Sequence, residues 1–148
     1  MISMTSEYAL RAMVSLAAQP DGRALLGREL AESASIPANY LAKILLTLRN
    51  AGLVVTVRGT GGGYLLSKPA TEVKLGEILD LFEVRRLVAG RCLLDREKEC
   101  AHADACTAHD AWHQVGDVYR LFLDQTTLAE ISSEPSQHGV TPAKAPQP

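Results

Sequence analysis

The residues with the sharpest chemistry are three cysteines, Cys92, Cys100 and Cys106, spaced Cys-x7-Cys-x5-Cys, and the chain has no others. Thr107, Ala108 and His109 follow directly. Thiols gathered in one short stretch can converge on a soft metal, because thiolate is the ligand that iron–sulfur clusters and zinc select. A structural Cys3His zinc site with His109 as fourth donor is the competing chemistry, but its usual close Cys-x2–4-Cys knuckle is absent. An odd number of cysteines, behind an N-terminus without a basic start and long apolar stretch, points to thiol chemistry in a reducing, cytoplasmic setting. Asp95, Glu97, Glu99 and Asp104 lie among the cysteines and read as loop charges. His102, His113 and His138 have no motif around them and read as solvated. No Ser/His/Asp or Cys/His arrangement has the local setting of a hydrolase nucleophile, so nothing points to an enzyme.

A second chemistry lies in the charge distribution. The 148 residues carry 15 Lys and Arg against 17 Asp and Glu, a net charge of −2. Residues 1–70 nonetheless hold seven basic and four acidic side chains. Between Glu32 and Glu72 there is no acid at all, while Lys43, Arg49, Arg58 and Lys68 fall there. Such a basic stretch on a weakly acidic protein suits a polyanion on one face.

The elements that must position these groups are legible from periodicity. Residues 5–19 predict a helix through Leu10, Met13, Val14 and Ala17, ended by Pro20-Asp21-Gly22. A short helix is expected over 27–33. Ser35 and Pro37 read as the start of a third helix, with Leu41, Ile44, Leu45 and Leu48 as its apolar face and Gly52 at its C-cap. Two helices joined by a short turn describe a helix-turn-helix. The β-branched run 53–57, the glycine-rich Arg58-Gly59-Thr60-Gly61-Gly62-Gly63 and Tyr64-Leu65-Leu66 then predict a β-hairpin. A phosphate-binding loop is the competing reading of these glycines and is disfavoured, because no Gly-Lys-Ser/Thr ends them and a strand, not a helix, follows.

A helix is expected over 74–83, packing through Leu75, Ile78, Leu79 and Phe82, and a long amphipathic one over 108–125. Trp112, Val115, Val118, Tyr119 and Phe122 recur along the latter at helical spacing, a stripe suited to a second copy of the chain. No run of about 18 apolar residues exists to span a membrane. The fold expected is mainly α: a winged helix-turn-helix (1–70) with a small β-hairpin wing, a linking helix (71–89), a cysteine loop (90–107), a long C-terminal dimerisation helix (108–131) and a disordered, proline-rich tail (132–148).

Over residues 1–131 the chain resembles the cluster-binding winged-helix regulators of the IscR/NsrR/RirA type. The resemblance rests on Thr5-Ser6-Glu7-Tyr8-Ala9-Leu10-Arg11, Leu48-Arg49-Asn50-Ala51-Gly52-Leu53-Val54, the wing Val57-Arg58-Gly59-Thr60-Gly61-Gly62-Gly63-Tyr64, the spaced cysteines, and Thr127-Leu128-Ala129-Glu130-Ile131. It implies a DNA-binding transcriptional repressor, acting as a homodimer on a pseudo-palindromic double-stranded operator. Operator affinity would be set by an iron–sulfur cluster that senses iron, redox or nitric oxide status. It also implies Asn39 and Tyr40 in the major groove, Lys43 on phosphate, and Arg58 with Gly59 and Thr60 at the minor groove. Some relatives carry an acid where this chain has Ala42. The cluster ligands implied are Cys92, Cys100 and Cys106 with a fourth donor. His109 matches the histidine of 2Fe-2S members, whereas Glu7 matches a carboxylate that serves some others across the dimer. The cysteine spacing is closest to members associated with 4Fe-4S clusters, and 2Fe-2S is preferred on the strength of His109. A DNA-binding module with structural zinc, or an iron–sulfur electron carrier, are the alternatives.

Overall fold

The computed structural model describes residues 2–83, 92 and 106–132. Helix α1 (Met4–Ala17) is capped by Ser3, whose hydroxyl accepts from the Ser6 N–H at 3.2 Å. It buries Ala9, Ala12, Met13 and Leu16 and ends two residues short of expectation, before a 3-10 turn at Pro20–Gly22. Helix α2 (Gly27–Ala34) follows, its Leu26 N–H donating to Glu29 Oε2 at 2.8 Å.

The turn into the next helix departs from the sequence reading. Ser35 does not cap α3 (Ala38–Asn50); it closes α2 in the left-handed region, at φ 53°. The Ser35 N–H donates to the Glu32 carbonyl at 3.1 Å and the Ile36 N–H to the Ala31 carbonyl at 2.9 Å. This is the double bond pattern that ends helices, normally with glycine in the left-handed place. Pro37 takes the N-cap position of α3 instead. At the far end of α3 the same pattern recurs with the expected glycine: Gly52 donates to Arg49 and Leu53 to Leu48, both at 3.0 Å.

Strands β1 (Val54–Val57) and β2 (Gly63–Leu66) pair antiparallel, with Val54 opposite Leu66 and Val57 opposite Gly63. Leu25 adds a third edge, exchanging backbone hydrogen bonds with Tyr64 at 2.9 and 2.7 Å. Gly63 is required at this crossing, because a Cβ there would run into the Leu25 carbonyl. The wing is thereby tied to the start of α2.

Helix α4 (Leu75–Leu79) is shorter than the predicted 74–83: Asp80 caps it, and Leu81 and Phe82 continue as turns. The long helix is observed as α5 (His109–Gln125). A break at Thr126 splits the helix expected over 108–131, and its last residues form a separate short helix, α6 (Leu128–Ser132). Its start is a capping box, in which the Thr127 N–H donates to Glu130 Oε2 at 2.6 Å and the Glu130 N–H to Thr127 Oγ1 at 3.3 Å. Leu128 is fully buried and joins Met13, Leu30, Leu41, Ile44, Leu48, Val73 and Ile78 in one core. Each such side chain contributes about 1.5–3 kcal/mol by leaving water, so the C-terminal return to α1 is a structural element of the whole. The fold is the expected mainly α winged helix-turn-helix with C-terminal helices. Among the described residues no helix is long and apolar enough to cross a membrane. Cys100, most of the cysteine segment and the tail from 133 lie outside the described residues.

Candidate nucleic-acid interface and thiol segment

Helix α3 sorts its residues cleanly. Leu41, Ile44, Leu45 and Leu48 are buried, and Asn39, Ala42, Lys43, Leu46 and Asn50 are exposed. At 3.6 residues per turn these two sets are opposite stripes of one helix. The outward stripe therefore presents two amides, an amine and two apolar side chains, with no acid.

Tyr40 flanks that stripe. It is 48% exposed, and its ring meets Tyr8 edge-on, centroids 6.1 Å apart. The Arg11 guanidinium lies over Tyr8 at 5.7 Å, pairs with Glu7 at 3.5 Å and donates to the Ser35 carbonyl at 3.3 Å. The first turns of α1 thus brace both the turn and the first turn of α3. Arg58, Gly59 and Thr60 are exposed at the wing tip, beyond the end of β1. The tip is held tight by Gly62, whose N–H donates to the Gly59 carbonyl at 2.9 Å. Any Cβ at Gly62 would strike the Val57 and Gly59 carbonyls.

The cations divide into two groups. Arg11, Arg23, Lys68 and Arg120 pair with carboxylates, and Lys74 donates to the Gln125 carbonyl at 2.7 Å. The side chains of Arg28, Lys43, Arg49 and Arg58 have neither an ion pair nor a hydrogen bond among the described residues. All four lie on α2, α3 or the wing. Arg28 and Leu46 were not among the sequence-derived site residues. The outward period of α3 was a sufficient signal for Leu46; nothing in the sequence set Arg28 apart from the paired Arg23.

At the other end of the molecule Cys92 is half-buried, Cys106 is exposed, and both thiols are free. The Cys106 carbonyl accepts from the His109 N–H at 3.0 Å, so a single turn leads from Cys106 to His109, the first residue of α5. The His109 ring lies 4.3 Å from that of His113, and the His113 Nε2 is buried without a hydrogen-bond partner among the described residues. Glu7, the other candidate fourth donor, is engaged by Arg11. Among the described residues no group of three or more His, Cys, Asp or Glu side chains converges on one point.

Glu83, the last described residue before Cys92, makes a long-range link that sequence reasoning missed. Its Oε1 accepts from the Ser3 N–H and the Ser6 hydroxyl, each at 2.6 Å, pinning the turn after α4 to the start of α1. Burial pushes the Glu83 carboxyl up, but the hydrogen bonds from Ser3 and Ser6 outweigh it and hold the group below the usual glutamate range. Tyr119 is raised by its own burial and by the negative charge of Glu83.

The outer side of α5 is apolar and uncovered. Val115 is 60% exposed and Val118 67%, with Leu121 and Phe122 exposed beside them. Tyr119 and Leu123 instead pack inward on Leu75 and Leu79, so the predicted stripe splits between two faces. The outward Val115, Val118 and Phe122 follow the 3-then-4 spacing of a helix–helix seam.

Comparison with known proteins gives a consistent result. The model of the Rrf2 family, described as an iron-dependent transcriptional regulator, matches residues 2–134. The HTH-type transcriptional regulator IscR of Cronobacter sakazakii is 32% identical over 130 residues, spanning 88% of this chain and 78% of its own. Among solved structures, CymR of B. subtilis, the global cysteine regulator, superposes with a TM-score of 0.73 at 27% identity, covering 90% of this chain and 96% of its own. IscR of T. potens gives a TM-score of 0.71 at 27% identity, covering 93% and 90%.

Proposed function

Because this chain belongs to the Rrf2 family of transcriptional regulators, whose members are not enzymes, we propose that it is a DNA-binding repressor whose operator affinity is set by an iron–sulfur cluster. DNA binding and transcriptional regulation are family properties; the cluster, the homodimer and the residue roles that follow are our reading. One observation carries it: the free thiol of Cys106 stands at the head of α5, and α5 carries the uncovered apolar face.

The donor set fits such a group. Cys92, Cys100 and Cys106 offer three soft thiolates, and His109 or Glu7 a fourth, harder donor. Glu7 would have to leave Arg11 to serve, whereas the His109 side chain, beside the His113 ring, has no ion pair among the described residues, which favours His109 and a 2Fe-2S cluster. Bound there, the cluster supplies metal–thiolate bonds that respond to iron supply, oxidants or nitric oxide. Residues 90–107 would hold it and 108–131 would join two copies. In each copy residues 1–70 would read one half of a pseudo-palindromic site. Asn39 and Tyr40 would face the major groove, Lys43 a phosphate, and Arg58 with Gly59 and Thr60 the minor groove.

The mechanism asks little energetically. Ordering or releasing the cysteine segment shifts α5, and α5 sets the distance between the two copies of α3. A tenfold change in operator affinity needs only about 1.4 kcal/mol of difference between the two states. Purification without oxygen, followed by visible absorption and native mass spectrometry, tests the cofactor. The expected protein is brown, with iron and sulfide, and loses both when any of the three cysteines becomes alanine. A colourless protein holding one zinc would replace this reading with the structural-zinc one.

A further inference from the structure

Leu46 is out of place by the rule that governs the rest of α3. The helix buries four leucine or isoleucine side chains on one side, yet Leu46 sits on the opposite side, 50% exposed. It lies on the same stripe as Asn39, Ala42 and Lys43, one turn beyond Lys43. From Asn39 to Leu46 the helix rises about 10 Å, the length of about three base pairs in a major groove. The surface around it is suited to a polyanion: among the described residues Lys43, Arg49 and Arg58 have no carboxylate partner, and no acid occurs in sequence between Glu32 and Glu72. A protein partner would have to offer an apolar patch ringed by acids, whereas duplex DNA offers phosphates at the edges of the groove and one apolar group on its floor.

That group is the thymine 5-methyl, which only A·T pairs present in the major groove. The rest of the stripe agrees. An Asn side chain can bond adenine N6 and N7 together. The carboxylates that best accept from the cytosine N4 amine are absent from the stripe. Lys43 and Arg49, the side chains here that can bond guanine, stand one turn before and one turn after Leu46, so the apolar contact concerns the pairs between them. We infer that Leu46, with Ala42 beside it, reads thymine methyls, and that A·T pairs lie under this part of α3. The inference rests on α3 being the element that enters the major groove, and it assigns the class of sequence that groove must carry.

The test uses the full chain. Duplexes are first selected by the protein from a random pool. The selected duplex is then resynthesised with deoxyuridine for thymidine in the half-sites, which removes only the 5-methyl groups. The unsubstituted protein should bind the uracil duplex about fourfold more weakly for each methyl group that Leu46 or Ala42 covers in the thymine duplex. Leu46→Ala, a change at an exposed position, should fold normally and lose the part of that thymine preference that Leu46 supplies, keeping only the part due to Ala42. Half-sites selected as G·C pairs, or equal binding of both duplexes by the unsubstituted protein, would overturn the inference and leave the repressor reading standing. Selection of no sequence at all would overturn both.

Discussion

The two ends of this molecule leave opposite kinds of surface unsatisfied. Around α2, α3 and the wing, the core takes up one apolar face of each helix, and among the described residues the side chains of Arg28, Lys43, Arg49 and Arg58 stand without carboxylates. On α5 the case is reversed. Arg120 is held by Asp80 at 3.1 Å and by Asp124 at 3.0 Å, while Val115, Val118, Leu121 and Phe122 face water. Free cations are at ease in water and gain by displacing counterions from a polyanion, a gain that salt erases. Exposed apolar side chains gain only by meeting others, and salt weakens that little. The comparison therefore teaches that one chain is built for two partners of different chemistry, distinguishable by salt alone.

The largest effect should come from putting the wrong chemistry on the apolar end. Val118→Glu should convert a dimer at micromolar concentration into a monomer, at a cost of about 3–5 kcal/mol for a charge buried without a partner. Sedimentation at two protein concentrations checks this, and a monomeric unsubstituted protein would break the comparison. At the other end, Arg58→Ala should weaken DNA binding about tenfold and make the salt slope shallower by about one if the side chain meets phosphate alone. Arg23→Ala, which removes a cation already paired with Glu29 at 3.3 Å, should leave the slope unchanged. Equal effects of the two substitutions would show that pairing does not sort the cations.

The link between the ends is smaller. Glu83→Gln removes the charge that accepts from Ser3 and Ser6 and should cost about 1 kcal/mol of stability at neutral pH. The folded carboxyl titrates below its unfolded value, so its stabilisation is full above the unfolded value and is lost as the pH falls through the folded one. The unsubstituted protein should thus lose its advantage over Glu83→Gln in acid, which thermal unfolding across pH will check. The smallest effect is expected at Ser35. Ser35→Gly relieves a left-handed backbone and should stabilise the chain by about 0.5 kcal/mol in urea unfolding.

Much of the architecture was legible. Apolar periods located α1, α2, α3 and α5, and the glycines between the β-branched run 53–57 and Tyr64-Leu65-Leu66 located the wing. What escaped had physical reasons. Helix α6 has only five residues, too few for a period, although Thr127 and Glu130 stand at capping-box spacing. Ser35 has two uses in sequence, helix start and turn, and only the hydrogen bonds to Glu32 and Ala31 decide between them. The site was legible where spacing carried it, at the α3 face and the wing tip. Glu83 joins residues 80 and 77 positions away, a link no local pattern encodes. Which cations are free depends on where carboxylates land in three dimensions, so Arg23 and Arg28 look alike in sequence and differ in the fold.

The central claim is that the thiol end controls the DNA end. Its most direct test is the affinity of cluster-loaded and cluster-free protein for one selected duplex, measured by fluorescence anisotropy without oxygen at fixed salt. The account predicts dissociation constants that differ at least about tenfold, equivalent to about 1.4 kcal/mol. Equal affinities in the two states would contradict it.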